Sequence, residues 1–459
     1  MVRADYRASM SNARLMRASW WAGWLLASLG VWAQQPAPGD RFRVSLLTVG
    51  PGKAIYEWFG HNTLVVEDRP SGKAFSFNYG VFSFDDPGFI RRFLEGRMMY
   101  LMEMRDLPSE IDYYRQAKRS LFMQELNLSP RQKERLVDFL LDGAKKENRR
   151  YLYNYYTANC STKVRDAIDY ALDGELRRQL ESRATATTYR EQTRAGSQHN
   201  FFLYTGLNFA LGPSTDRPLN QWEDSFMPAR LASYVRDVKL SDGRSLVGFE
   251  KPLGDVSVPP EPKAPDRVWL YLLIGAIWGG LVLWSAGTGR TRVTLIVVWL
   301  WLALSASGGV FLAWVFTTSH WAACWNQNVL LLPTTSLPMV AWWPVAMLRW
   351  NRWKWIAVGL LAAAGLISLT GLFLPFGLSM VLLAGLVLVP RRVAARGMAA
   401  LLVVTLVTTV VAISLKFIPL LPQMNREILA LAGPLNAVLV WAGWRSLVPA
   451  KDEIHESVQ

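Results

Sequence analysis

Cys160 stands in Tyr155-Tyr156-Thr157-Ala158-Asn159-Cys160-Ser161-Thr162, and the chain's other cysteine, Cys324, lies far away among apolar segments. A thiol is a nucleophile only as its thiolate, so a reactive cysteine needs a base or a helix start beside it. The base on offer is His61, at the head of an apolar run in Trp58-Phe59-Gly60-His61-Asn62. The chain has just four histidines: His61, His199, His320 and His455. A Cys160–His61 pair would suit acyl transfer through a covalent thioester. A third polar group must orient the imidazole, and Asn78 in Phe77-Asn78-Tyr79-Gly80 is placed on a neighbouring strand to do so. Backbone N–H groups near Cys160 and Ser161 are the natural donors to an oxyanion. The competing readings are a buried structural cysteine, a hydrogen-bonded structural histidine and a turn asparagine.

The elements that must hold these residues are legible in part. Phe42–Val49, Thr63–Glu67 and Lys73–Tyr79 read as strands, with Arg69-Pro70-Ser71-Gly72 turning between the last two. His61 falls at a strand start, with Gly60 allowing close backbone approach. Ser129-Pro130-Arg131-Gln132 opens a helix with a cap, a proline and a reciprocal glutamine. A second helix starts at or beside Cys160 and runs through Val164, Ile168 and Leu172. Its unsatisfied N–H groups and dipole favour a thiolate there. The polar, turn-rich stretch 182–227 gives no clear pattern.

Composition bounds the setting. The 459 residues are 51% hydrophobic, with 21 tryptophans and a formal charge of +14. Residues 1–33 carry +3 of that charge and residues 267–459 carry +9, which leaves +2 on 34–266. The excess flanks apolar segments, so it gives nucleic-acid binding no support. Arg3, Arg7, Arg14 and Arg17 precede the apolar run Trp20–Trp32, and Val31-Trp32-Ala33 supplies small residues for cleavage after Ala33. That pattern reads as a secretory signal, with an uncleaved anchor as the alternative. An exported domain normally pairs its cysteines, so the solitary Cys160 reads as a free thiol.

Beyond Arg267 the spans expected are 268–286, 293–316, 329–348, 355–374, 376–390, 397–418 and 428–448. Alternation from an exported domain puts Arg290/Arg292, Arg349/Arg352/Lys354 and Arg391/Arg392/Arg396 in the cytoplasm, as the positive-inside rule requires. The domains expected are a signal peptide (1–33), an exported catalytic domain (34–251), a proline-rich linker (252–266), a transmembrane domain (267–450) and a cytoplasmic tail (451–459). No metal-ligand constellation is visible and no cofactor is implied.

Taken together, Phe59-Gly60-His61-Asn62, Asn78-Tyr79-Gly80-Val81-Phe82, Phe93-Leu94-Glu95-Gly96, Tyr151-x-Tyr153 and Asn159-Cys160-Ser161-Thr162 resemble the N-terminal periplasmic domain of the Lnb family. That family comprises lipoprotein N-acyltransferases with a multi-span C-terminal half. The likeness covers about residues 42–180, and Thr318-Ser319-His320 followed by Asn326-Gln327-Asn328 agrees in kind. The resemblance implies an α+β papain-like domain, permuted so that His precedes Cys, followed by an all-α polytopic membrane domain of about seven helices. It implies Cys160 as nucleophile and His61 as base, with Asn78 standing where the third member is sought. Gly60, Tyr79, Asn159, Ser161, His320, Asn326 and Asn328 are the expected substrate contacts. A membrane phospholipid would be the acyl donor and a diacylated apolipoprotein the acceptor, at the bacterial inner membrane. The rival readings are a cell-wall peptidase or amidase of the NlpC type, a phospholipase, and a non-catalytic membrane sensor or transporter.

Overall fold

The computed structural model describes residues 37–254, 262–347, 358, 361, 374–418 and 423–447. The expected signal segment 1–33, the middle of the linker and the tail 451–459 lie outside the described residues.

Seven strands form one antiparallel sheet in the order β6-β4-β3-β2-β1-β5-β7. They are β1 (Phe42–Val49), β2 (His61–Asp68), β3 (Lys73–Val81), β4 (Met99–Asp106), β5 (Leu121–Leu126), β6 (Arg150–Leu152) and β7 (Val247–Pro252). The strand expected over 42–49 has those bounds, and the other two expected strands are each a little longer than the apolar run that signalled them. In β1 all residues from Val44 to Val49 are buried, because both faces of the sheet are covered. One face packs on α3 (Pro130–Gly143), α4 (Cys160–Ala171) and the Pro228–Arg236 helix, around Val44, Leu46, Leu64, Phe77 and Met102. The other face, with Leu47, Val49, Val65 and Leu121, packs on α2 (Leu107–Gln116). The short helix α1 (Phe89–Leu94) lies between β3 and β4.

Local chemistry places the helix starts. Ser129 accepts from Gln132 N while Gln132 Oε1 accepts from Ser129 N at 2.8 Å. Asn159 caps α4 in the same way, accepting from Thr162 N at 2.9 Å, with Thr162 Oγ1 accepting from Asn159 N at 2.8 Å. The nucleophile candidate is therefore the first helical residue.

Residues 182–227, left unassigned by sequence, contain the helices Tyr189–Ser197, Phe201–Ala210 and Gln221–Asp224. Pro252, placed in the linker by composition, instead ends β7 opposite Phe122.

The C-terminal region is helical. Five helices are long and apolar enough to cross a membrane: Val268–Gly287, Thr291–Val315, Asn328–Met347, Arg391–Phe417 and Arg426–Leu447. The expected span 376–390 appears as a shorter helix, Gly377–Val387. The expected span 355–374 lies outside the described residues apart from Val358, Leu361 and Leu374. The count of seven thus becomes five long helices and one short one among the described residues.

The sheet domain and the helical region meet in a polar joint. Glu427, almost fully buried, accepts from Arg194 (2.9 Å), Tyr204 Oη (2.7 Å), Arg267 N (3.0 Å) and Asn208 Nδ2 (2.8 Å). The last carbonyls of the Phe201–Ala210 helix, orphans by helix geometry, receive donors from the bundle. Asn326 Nδ2 reaches Phe209, Ala210 and Leu211 at 2.8–3.0 Å, and Asn328 Nδ2 reaches Phe209 at 2.8 Å.

Candidate active site

His61 opens β2 opposite Val49, and Asn78 on β3 pairs with Thr63, so Asn78 is a diagonal neighbour of His61. Their side chains bond, His61 Nε2 to Asn78 Oδ1 at 2.8 Å. Asn78 Nδ2 donates to Glu110 Oε2 at 3.0 Å. Glu110 lies on α2, buried, and also accepts from Tyr114 Oη at 3.2 Å and from Ser76 Oγ. A carboxylate only accepts, so it fixes the Asn78 amide with nitrogen toward Glu110 and oxygen toward His61. Asn78 Oδ1 in turn requires a proton on His61 Nε2. The other ring nitrogen, Nδ1, is left for Cys160. This ordering follows from hydrogen-bond chemistry alone.

Cys160 and His61 are close enough that each moves the other's titration. Burial pushes the thiol up, but the His61 charge, its hydrogen bond and the N–H groups of Asn62 and Ser161 together hold it below its ordinary value. Burial also pushes the imidazole down. The thiolate's charge and hydrogen bond, then the Asn78 bond and the Glu110 charge, leave it raised. The arrangement therefore favours the thiolate–imidazolium form, with the backbone N–H groups of Asn62 and Ser161 helping to hold the thiolate.

The sequence-derived residues divide into two groups. Cys160, His61, Asn78, Asn159 and Ser161 converge. Asn159 is the helix cap, and its Nδ2 donates to Tyr155 O (3.0 Å) and Phe226 O (2.8 Å). Ser161 is fully buried; its hydroxyl donates to Ser225 O at 2.6 Å and accepts from Asn62 Nδ2 at 3.0 Å. Gly60, at φ +81°, makes the turn into β2 against Val49 O. Tyr79 is buried against Tyr151, with the Lys163 ammonium over its ring. The second group belongs to the joint. His320 Nε2 bonds Phe93 O (3.1 Å) and Leu94 O (3.2 Å) on α1, while Asn326 and Asn328 cap the Phe201–Ala210 helix as described. Cys324 and Cys160 are both free thiols.

Glu110 is the functional candidate that sequence reasoning missed. In Asp106-Leu-Pro-Ser-Glu110 it has the look of an ordinary first-turn acid on a capped helix. Its fourth-residue partner Tyr114 was a weak signal that the helix face is buried. A separate cavity of about 400 Å³, lined by Arg43, Ser45, Val65, Glu67 and Met123 among others, opens at the far end of β2 from His61 and takes no part in the dyad.

Residues 30–195 match the family model described as the Lnb N-terminal periplasmic domain, a range that holds Cys160, His61, Asn78 and Glu110. No curated protein and no solved structure matches the chain.

Proposed function

The chain carries an Lnb-family periplasmic domain, and on that premise we propose that it is a thiol-dependent acyltransferase that N-acylates lipoproteins at the outer face of the inner membrane. The observation that carries this reading is the relay Cys160–His61–Asn78–Glu110, set on a domain fastened to a bundle of apolar helices.

The Cys160 thiolate attacks the ester carbonyl of a phospholipid, and the tetrahedral oxyanion is held by N–H donors at the helix start. When the C–O bond breaks, imidazolium His61 gives its proton to the departing lysophospholipid alkoxide. The thioester on Cys160 then acylates an amine. The acceptor is the α-amino group of a diacylglyceryl-cysteine, whose ordinary pKa of roughly 7.7–8.0 lets a nearby imidazole remove its proton. The C–S bond breaks, Cys160 leaves as thiolate, and His61 carries the proton to begin again. Gly60, Tyr79, Asn159 and Ser161 shape and fix this site; His320, Asn326 and Asn328 hold it to the bundle. Donor and acceptor are both lodged in a bilayer, which gives the membrane half a purpose that a soluble hydrolase would lack.

The bundle supports the orientation. Arg391 Nε bonds Ala346 O at 3.0 Å, so the end of the Asn328–Met347 helix meets the start of the Arg391–Phe417 helix. Arg290, Arg292, Arg391, Arg392 and Arg396 then share the cytoplasmic side.

The test is mass spectrometry of a lipoprotein's N-terminal lipopeptide from cells depleted of their own N-acyltransferase and expressing this chain or Cys160→Ala. An added N-acyl mass with the wild type, absent from the variant, is the expected result. A diacyl lipopeptide unchanged by membrane-inserted wild-type protein would refute the transferase reading. An active Cys160→Ala variant would refute the nucleophile.

A further inference from the structure

We infer that the Tyr151 hydroxyl is a further catalytic group, a side-chain donor that contacts the carbonyl oxygen of the acyl group while it is bound to Cys160. This rests on the acyl-transfer reading above, and it gives Tyr151-x-Tyr153 a role that the reading left unassigned.

Three observations place the hydroxyl. Tyr151 lies on the edge strand β6, its ring packs edge-on against Tyr79 at 6.0 Å, and the Lys163 ammonium of α4 lies over it at 5.4 Å. Its Oη is shut off from solvent and has no hydrogen-bond partner among the described residues. The Gly80 N–H acts on Oη only as a hydrogen-bond donor, which leaves the phenol's own O–H without an acceptor. Burial, then the Cys160 charge, raises its pKa, so the phenol keeps its proton at neutral pH. An orphaned buried donor is destabilising, and a site that binds an anion is where such a cost is recovered.

The second observation is the space beside it. Gly80 has φ +91°. A Cβ there would stand 3.5 Å from the Tyr153 ring, 3.8 Å from Cys160 Cβ and 3.9 Å from Tyr151 Oη. The missing side chain leaves a gap bounded by the nucleophile on one side and the phenol on another. A tetrahedral carbon bonded to Cys160 Sγ would project its oxygen a few ångströms from Cys160 Cβ, within reach of that hydroxyl.

Third, the existing donors are aimed elsewhere. The N–H groups of Asn62 and Ser161 already act on the sulfur, where they favour the thiolate. As charge moves from sulfur to carbonyl oxygen, a donor not already engaged by the thiolate stabilises the transition state over the ground state, as catalysis requires. Tyr151 donates a hydrogen bond without transferring its proton. The step therefore stays balanced as written, with His61 alone carrying the proton.

The test uses the full-length protein and Tyr151→Phe in mixed micelles of phosphatidylethanolamine and detergent. Two rates are read: thioester formation on Cys160, by intact mass in a single turnover, and alkylation of Cys160 by iodoacetamide. Losing one oxyanion donor slows acylation by roughly 100- to 1000-fold in comparable sites. The expected result is a loss of that order in thioester formation with alkylation unchanged, since alkylation needs the thiolate but no oxyanion hole. Thioester formation at the wild-type rate would overturn the inference. A parallel loss in both rates would also overturn it, because the hydroxyl would then be serving the thiolate or the scaffold. Wild-type protein that alkylates but never forms a thioester would overturn the acyl-transfer reading itself, and the role of Tyr151 with it.

Discussion

Replacing Glu110 by glutamine tests the relay behind His61 with the least change in shape. Glu110 accepts from Asn78 Nδ2 at 3.0 Å, Tyr114 Oη at 3.2 Å and Ser76 Oγ. Glutamine keeps one acceptor oxygen and puts an amino group where the second stood. The hydroxyls of Ser76 and Tyr114 can rotate to accept from it; Asn78 Nδ2 cannot. If the new amino group faces Asn78, the Asn78 amide must turn and present nitrogen to His61 Nε2. The ring proton then moves to Nδ1, the atom that serves Cys160. If the amino group faces Tyr114 instead, Asn78 and Ser76 keep an oxygen acceptor but it no longer carries a charge. A hydrogen bond to a charged group is worth about 1.5–3 kcal/mol, so acyl transfer should fall roughly 10- to 150-fold. The pH profile separates this from simple destabilisation. The reactive ion pair exists above the thiol pKa, held below its ordinary 9.0, and below the imidazole pKa, raised above its ordinary 6.5. Glu110's charge is one of the groups raising His61. Removing it lowers the imidazole pKa and lets the thiol pKa rise, so the reactive window narrows from both sides. In an iodoacetamide rate profile from about pH 5 to 9, the rise marking thiolate formation should move upward, by about one unit for each 1.36 kcal/mol lost. An unmoved profile with wild-type acyl transfer would show that His61 does not depend on Glu110. Less folded protein with an unmoved profile would make Glu110 structural only.

Two further substitutions probe the gap and the joint. Gly80→Ala should cost roughly 1–3 kcal/mol, because φ is +91° there, and the new methyl should fill the space beside Cys160; acyl transfer should drop at least tenfold while iodoacetamide still reaches the thiol, and equal losses in both would refute the space-filling argument. Glu427→Ala strips the joint of its acceptor and leaves the Arg194 guanidinium, 17% exposed, without its carboxylate, for a cost of about 3–5 kcal/mol. Hydrogen exchange across 189–210 should speed up, and unchanged protection would show that apolar packing alone holds the joint.

What could be read in advance follows from how local each signal is. The cap at Ser129, the turn after Arg69 and the helix start at Cys160 are settled by residues within four positions of one another, and the structure places them accordingly. The register that brings Asn78 to His61 needs only two strands and a short turn. Glu110 escaped because the groups it faces on β3 lie more than thirty residues earlier, and nothing in its own helix names them. Residues 189–210 escaped for a stronger form of the same reason. Arg190 is wholly buried on Asp216, and Arg194, Tyr204 and Asn208 all converge on Glu427, more than two hundred residues away. A stretch whose polar groups are satisfied at that distance reads as solvent-facing loop until the partner is in place.

That joint bears on the site, because the loop between the helices Thr291–Val315 and Asn328–Met347 reaches both. Its Ser319 N–H and His320 ring hold the carbonyls of Phe93, Leu94 and Glu95 at the end of α1. Its Trp321 packs against Tyr156 at 5.9 Å and Tyr189 at 6.0 Å. Tyr156 lies one helical turn before Cys160 in sequence, and Asn159 ties the same segment down through Tyr155 O and Phe226 O. The bundle therefore braces the segment that ends at the nucleophile. Helices packed into a core shift in discrete steps, so a displacement of the loop would be felt at the start of α4 as a change of packing around Tyr156. A free-standing hydrolase gains nothing from such a connection. On the acyltransferase reading proposed above it is useful, because it would tie the seating of the domain on the helices to the packing behind Cys160.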